Sequence, residues 1–346
     1  MAQKTAPLSF KTKQVTKKIL SPLQERALDV ISHRFGLTED GAKKTLEAIG
    51  EKYGITRERV RQIENAAIAS IKKSDAYKTE KATFEELKNL LVILGSIISE
   101  KDFLSHISKD KSTQNHINLY LVLGDDFKEH KEDDHFHKRW SVDETVSKDI
   151  HDSLKKMYAS MSDNELLSEA DLVSKFIDHL KEINDEYRNE EIAKRWLGML
   201  KKINKNPLGE WGKATSPNVK TRGVKDYAFL MMRKHGSPMH FREVAKAITD
   251  TFDKKTHHAT THNELIKDSR FVLVGRGIYA LAEWGYKGGV VKDVIKDILK
   301  NSGPLSKEEI VDRVLKERYL KKNTILVNLQ NPKYFKKNKN GLYTLV

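Results

Sequence analysis

The sequence predicts a mainly α-helical protein built as an array of small helical modules, several of them closed by a short β-hairpin. Three observations carry this. Apolar residues recur at helical spacing over short stretches that Gly, Pro or Ser interrupts. The C-terminal part of the chain repeats its own order of elements. Across 346 residues, 38% are hydrophobic and 32% charged, enough for several modest cores with solvated helix faces and too little for one large core.

Residues 1–20 are basic and read as a flexible tail. A helix is predicted from Ser21-Pro22 to Phe35: Ser21 can cap, Pro22 suits the first helical position and Gln24 completes a capping box. Leu23, Ala27, Val30, Ile31 and Phe35 form its apolar stripe, and Gly36 stops it. Thr45 caps a second helix with Leu46, Ile49 and Tyr53 on one face, and Gly54 can take the positive φ of a tight turn. Thr56 caps a third, with Val60, Ile63, Ala67 and Ile71 inward, ending at the polar Lys72-Lys73-Ser74-Asp75.

Residues 226–285 and 290–346 align as helix, Gly/Ser-Pro break, two helices, a Phe-led strand and a Gly-turned strand. Pro238, Glu243 and Val244 match Pro304, Glu309 and Ile310 at one offset. Leu265, Phe271, Gly277, Tyr279 and Leu281 match Leu329, Phe335, Gly341, Tyr343 and Leu345 at an offset only two residues shorter. Three short helices before a hairpin is the order of a winged helix-turn-helix. Trp140, Trp211 and Trp284 sit in comparable contexts and suggest fainter copies upstream. The fold class is therefore mainly α, with tandem helix-turn-helix and winged-helix modules and short β-hairpin wings. The expected domains are a basic flexible tail at 1–20, a helix-turn-helix at 21–75 and a degenerate winged helix at 82–142. A helical or degenerate winged module with linker follows at 143–218, then a winged helix at 224–286 and a basic winged helix at 287–346.

Composition narrows the function. The 63 Lys and Arg against 49 Asp and Glu give a net charge of +14, which suits a polyanionic partner because clustered cations displace condensed counterions. With no cysteine, a disulfide framework, a thiolate metal site and a cysteine nucleophile are excluded. The longest nearly apolar run, LLVILGSII at 90–98, is far short of the roughly 20 residues that span a bilayer, and the N-terminus lacks an apolar signal core, so a cytoplasmic, nucleoid-associated protein is expected.

No Walker loop, nucleophile elbow or HExxH occurs, and no catalytic residue is assigned. His130, Asp133, Asp134, His135 and His137 could bind a metal if His135 and His137 share a strand face. A polar hairpin between Phe127 and Trp140 explains them equally, so neither metal nor cofactor is expected.

The third helix of the first module has two unlike faces. At about 100° per residue, Arg57, Glu58, Arg61 and Gln62 fall together while Val60, Ile63 and Ala67 fall opposite. Arg offers a fork to guanine, Gln pairs with adenine and Glu accepts from cytosine, so this face is suited to base reading in a major groove. Thr45, Thr56 and Arg59 are candidates for backbone contact. A solvated, salt-bridged helix face is the alternative.

LSPLQERALDVISHRFGL followed by TLEAIGEKYGITRERVRQIE resembles region four of the primary sigma-factor family, over roughly 55 residues. The resemblance implies docking on the beta flap of the bacterial RNA polymerase core and reading of the minus thirty-five promoter element by Arg57, Glu58, Arg61 and Gln62. After Glu64 the family's basic helix end is replaced by NAAIASIKK, and no sigma region two is recognisable, so a free-standing sigma factor is not expected.

DYAFLMMRKHGSPMHFREVAKAI, continued by THNELIKDSRFVLVGRGIYALAEW, resembles the HARE-HTH family, a winged fold shared with the delta subunit of bacterial RNA polymerase. It implies contact with DNA or polymerase. Residues 320–346 carry six Lys and no Asp or Glu, which favours phosphate contact. The expected contacts are His258, Thr261, Asn263, Lys267 and Arg276 in one module and Asn328, Lys336, Lys337 and Lys339 in the other.

The expectation is a non-enzymatic transcription initiation factor or regulator whose partners are double-stranded promoter DNA and RNA polymerase, with no membrane. The alternatives are a delta-like polymerase-associated interaction protein, a nonspecific architectural DNA binder, and a metal nuclease or restriction-system component.

Overall fold

The computed structural model describes residues 8–180, 189–286 and 288–346. The chain divides into two compact units, residues 1–204 and 205–346. Both are mainly α-helical with short antiparallel hairpins.

The first unit opens with α1 (Thr12–Leu20), where a flexible tail was expected. Val15, Ile19 and Leu20 are buried together with Thr12 and Thr16, while Lys13, Lys17 and Lys18 remain exposed. The lysines gave this stretch its tail-like composition, yet they occupy only the outer face of an amphipathic helix. Ser21 closes α1 rather than opening the next helix, its Oγ donating to Lys18 O at 2.8 Å. α2 (Glu25–Phe35) then starts after Gln24, whose side chain makes no capping bond.

α3 (Leu46–Tyr53) and α4 (Arg57–Lys73) follow, joined by a turn in which Gly54 has φ +63°. Gly50 is essential to this turn, because a Cβ there would lie 2.5 Å from Ile55 O. Val30, Ile49 and Val60 form a small core with Leu46, Tyr53, Ile55 and Ile63 around them. Ala67 and Ile71, further along α4, join the larger core of the unit.

After α5 (Asp75–Thr79) comes a second module: α6 (Lys81–Ile93), β1 (Ile97–Ser99), α7 (Glu100–Ile107), α8 (Lys111–Leu123), β2 (Lys128–His130) and β3 (Arg139–Ser141). The strands lie in the order β1-β3-β2, with Trp140 opposite Ile98 on one side and Glu129 on the other. α9 (Glu144–Ser160), α10 (Glu169–Asp178) and α11 (Glu190–Leu197) complete the unit, and Trp196 Nε1 donates to Gly95 O and Ile97 O at 3.2 and 3.1 Å, tying α11 to β1. β4 (Ile203–Lys205) lies at the unit boundary.

The module expected at 143–218 is divided by that boundary. Residues 205–218, including β5 (Trp211–Lys213), belong to the second unit. Asn218 there accepts from Arg270 Nη1 at 3.3 Å, a long-range bond that local pattern does not reveal.

The second unit repeats one plan twice. α12 (Val224–His235), β6 (Met239–His240), α13 (Phe241–Phe252), α14 (His258–Lys267), β7 (Phe271–Gly275) and β8 (Ile278–Leu281) give the strand order β6-β8-β7. α15 (Val291–Ser302), α16 (Lys307–Glu317), α17 (Lys322–Leu329), β9 (Phe335–Lys337) and β10 (Tyr343–Leu345) follow, with Leu305 bridging Tyr343 where β6 pairs with β8. Leu265 and Leu329 are buried at matching places, and Gly277 and Gly341 both turn the hairpin at positive φ. Tyr319 N donates to Val274 O at 2.8 Å, and buried Arg318 donates to Leu273 O and Gly289 O, joining the two copies.

Candidate nucleic-acid interface

The site begins with two caps. Thr45 Oγ1 accepts from Ala48 N at 3.1 Å and Thr56 Oγ1 accepts from Arg59 N at 3.2 Å, setting the starts of α3 and α4. With Val60 fully buried, the helical period places Arg57, Glu58, Arg61 and Gln62 on the solvent side, where all four are exposed. Thr45, Thr56 and Arg59 are exposed beside them. As caps the two threonine oxygens accept, so their hydroxyl protons and the helix-start N–H groups without a cap are the donors a phosphate would meet here.

The exposed face is ordered by its own ion pairs. Glu58 receives Arg61 in two-point fashion, Nε to Oε2 at 2.9 Å and Nη2 to Oε1 at 2.6 Å. Those bonds hold the Glu58 carboxyl below the usual carboxylate range. Arg57 Nη1 donates to Glu47 Oε1 at 3.2 Å, and Arg59 Nη1 to Gln62 Oε1 at 3.0 Å. Exposed pairs of this kind contribute little and exchange readily for a phosphate or a base edge.

Arg57, Glu58 and Arg61 line a shallow groove of about 400 Å³ with Thr45, Glu47 and Arg34. Arg34 and Glu47 escape a helix-by-helix reading, because each enters the groove from another helix. Arg34 comes from α2, with Nε 3.4 Å from Glu64 Oε1 and Nη1 donating to Lys44 O at 3.3 Å.

The third helix of the second module is placed very differently. Asn115, His116, Asn118 and Tyr120 on α8 are buried. Thr16 Oγ1 lies 2.8 Å from His116 Nδ1 and 2.7 Å from Tyr120 Oη, whose hydroxyl donates to Thr12 O at 2.6 Å. Lys43 Nζ donates to Asn118 Oδ1 at 3.1 Å. α8 is thus the platform on which α1 and the 36–43 segment rest, and its buried polar residues face protein.

In the second unit, His258, Asn263 and Lys267 are exposed on α14, and Arg276 is exposed at the turn between β7 and β8. Thr261 is a correction: it is fully buried, with Oγ1 donating to His257 O at 3.2 Å, because it shares the inward face of α14 with Leu265. Asn328 is half-buried and donates its amide to Thr324 O within α17, while Lys336, Lys337 and Lys339 are exposed.

The histidine-rich hairpin is organised by an arginine. Asp133 accepts from Arg139 Nη2 at 3.1 Å and from the backbone N–H of His135 and Phe136, and Arg139 Nε donates to His151 Nε2 at 2.6 Å. Burial, with the neighbouring Arg139 charge adding to it, pushes the His151 imidazole down to about 3. Among the described residues no group of His, Asp or Glu is arranged to hold a metal ion, and no helix is long and apolar enough to cross a membrane.

Residues 19–73, from the end of α1 through α4, match the family Sigma-70, region 4. The chain is similar to the RNA polymerase sigma factor RpoD of Helicobacter pylori strain ATCC 700392 / 26695, 48% identical over 56 residues, covering 16% of this chain and 8% of that protein. It is also similar to the RNA polymerase sigma factor sigB of Arabidopsis thaliana, 50% identical over 60 residues, covering 17% of this chain and 10% of that protein. The chain thus spans about a tenth or less of the length of these relatives. Residues 19–73, with the caps, turn and exposed arginine face described above, are a Sigma-70 region 4 domain.

Proposed function

We propose that the chain is a DNA-binding, RNA polymerase-associated transcription factor without catalytic activity, in which α4 reads a minus thirty-five-like promoter element. The observation that carries this reading is the split face of α4: Val60, Ala67 and Ile71 are buried, and Arg57, Glu58, Arg61 and Gln62 are exposed together within the region 4 match. The side chains suit base edges, while Arg59 and the starts of α3 and α4 suit phosphates. Polymerase contact through the beta flap is part of the same proposal, supported by the likeness of residues 19–73 to named polymerase sigma factors.

The exposed Lys336, Lys337, Lys339, Arg276, Lys267, Asn263 and His258 are proposed as secondary contacts along neighbouring DNA or polymerase. Several weak grips on one chain multiply through effective concentration. The buried polar face of α8 argues for a scaffold role for the second module, whose third helix makes no direct contact with nucleic acid in this reading.

The test is titration of the full chain, and of an Arg61→Ala, Gln62→Ala variant, on minus thirty-five-like and scrambled duplexes at several salt concentrations. Sequence preference should vanish in the variant while salt sensitivity persists. Equal wild-type affinity for both duplexes would overturn base reading. Polymerase capture that survives nuclease treatment, with negligible duplex affinity, would favour the delta-like alternative.

A further inference from the structure

The second unit carries a run of rings where α13, α14 and the turn after β7 meet. Phe241 stacks with His262 at 4.5 Å between centroids and lies 4.4 Å from His240. His262 in turn meets Tyr279 edge-on at 5.9 Å. At the start of α14, His257 and His258 stack on one another at 4.5 Å with 23° between their planes, and both are exposed.

These rings are held in place before any ligand arrives. His240 Nδ1 accepts from Arg242 N and His257 Nδ1 from Ala259 N, so two imidazoles are fixed as helix caps. Phe241 N donates to Gly277 O at 3.0 Å, and a Cβ at position 277 would come within 2.7 Å of His240 and 3.0 Å of Phe241. The hairpin turn therefore backs the ring cluster directly. Arg242 is exposed with its guanidinium 5.9 Å from the Phe241 centroid, and exposed Arg276 precedes Gly277 in the same turn.

The core of the module is supplied by Val244, Ile248, Leu265, Phe271 and Tyr279, and the stacked His257 and His258 are exposed outside it. The Tyr279 hydroxyl, beneath His262, is buried with no hydrogen-bond partner. Pre-fixed flat rings with guanidinium groups at their margin match the chemistry of an unpaired nucleotide, whose base has a free π-face and whose phosphate carries a charge. A paired duplex hides those faces in its own stack.

We propose that the His257–His258 end of this cluster stacks an unpaired base of a single DNA strand, with Arg242 and Arg276 on the flanking phosphates. The inference rests on reading the chain as a nucleic-acid-binding protein, but not on α4 as the base reader. His257, already locked as a cap, loses little freedom on binding.

The experiment uses full-length protein and a fluorescein-labelled oligothymidylate, with an abasic oligomer of equal length as the charge-only probe. Oligothymidylate should bind more tightly than the abasic strand, and a His257→Ala, His258→Ala variant should lose about tenfold in affinity for it. His258→Tyr, which keeps a ring, should retain binding. Ranking of duplexes by the wild-type chain is measured separately, so failure of the α4 reading registers only in the duplex assay and failure of this proposal only with the single strands. Wild-type affinity in the double histidine variant, or equal binding of abasic and thymidine strands, would overturn the proposal.

Discussion

The side-chain amide of Asn115, on α8, donates to Gly36 O at 2.8 Å and to Gly41 O at 2.9 Å. One buried residue of the second module thereby holds both ends of the loop that leaves α2. Gly36 is bound to this arrangement from its own side, having φ +68° and room for no Cβ, which would lie 2.7 Å from Asn115 Nδ2. Asn115→Ala removes the donor to two carbonyls and should cost about 1–3 kcal/mol, read as a lower urea midpoint of the full chain. Gly36→Ala should cost at least as much, from backbone strain added to the clash. A midpoint unmoved by Asn115→Ala would show that the loop is held by other contacts.

On α4, stability and recognition should separate cleanly. Val60 is fully buried, so Val60→Ala should destabilise the region 4 domain by roughly 2–3 kcal/mol through poorer packing and an unfilled cavity. Arg61→Ala removes only an exposed pair with Glu58 and should leave stability nearly unchanged while weakening duplex preference. Thermal melting alongside duplex titration of both variants distinguishes the two faces. Equal destabilisation by both substitutions contradicts this assignment.

The buried imidazoles give the first unit an acid limit. His151 has its pKa lowered from 6.5 to about 3 by burial and then by Arg139, and burial lowers His116 and His130 as well. In the unfolded chain these groups take up protons near pH 6.5, while folded His151 resists until about pH 3. The unfolded state therefore holds more protons across that window, and stability falls as pH falls, by at most about 1.4 kcal/mol per pH unit for each such group. His151→Gln keeps an acceptor for Arg139 but cannot titrate. Denaturation at mildly acidic pH should show a shallower loss in that variant, and identical slopes would count against His151.

Thr261 offers a control for surface assignments in the second unit. Thr261→Val fills the same buried space and loses one bond to His257 O, a cost of about 1 kcal/mol in stability with nucleic-acid affinity unchanged. Lys267→Ala, at an exposed position of the same helix, should lower duplex affinity without altering the melting temperature. An affinity loss in Thr261→Val at full folding would restore that hydroxyl as a contact.

For the C-terminal hairpin, replacing Lys336, Lys337 and Lys339 with Gln should weaken duplexes of every sequence alike. The slope of log affinity against log salt should become shallower by about 0.9 for every phosphate that a lysine no longer neutralises. An unchanged slope would remove this hairpin from the interface.

Local chemistry alone was enough to read α3, its turn and α4: capping threonines, a glycine able to take positive φ, and an apolar stripe at helical period all act within a few residues. The repeated module was legible for the same reason, since Phe271 and Phe335, or Gly277 and Gly341, recur at nearly fixed spacing. Only tertiary structure decided the fate of polar groups. Thr16, Asn115, His116 and Asn118 look like surface residues, yet they are buried because their partners lie far away in sequence. Packing against distant segments likewise turned a lysine-rich terminus into α1, whereas the burial of Thr261, four residues before Leu265 and bonded to His257 O, follows from the helical period of α14 itself. Hydrophobic period states which face must leave water, whereas a buried hydrogen bond depends on geometry that exists only once distant segments have met.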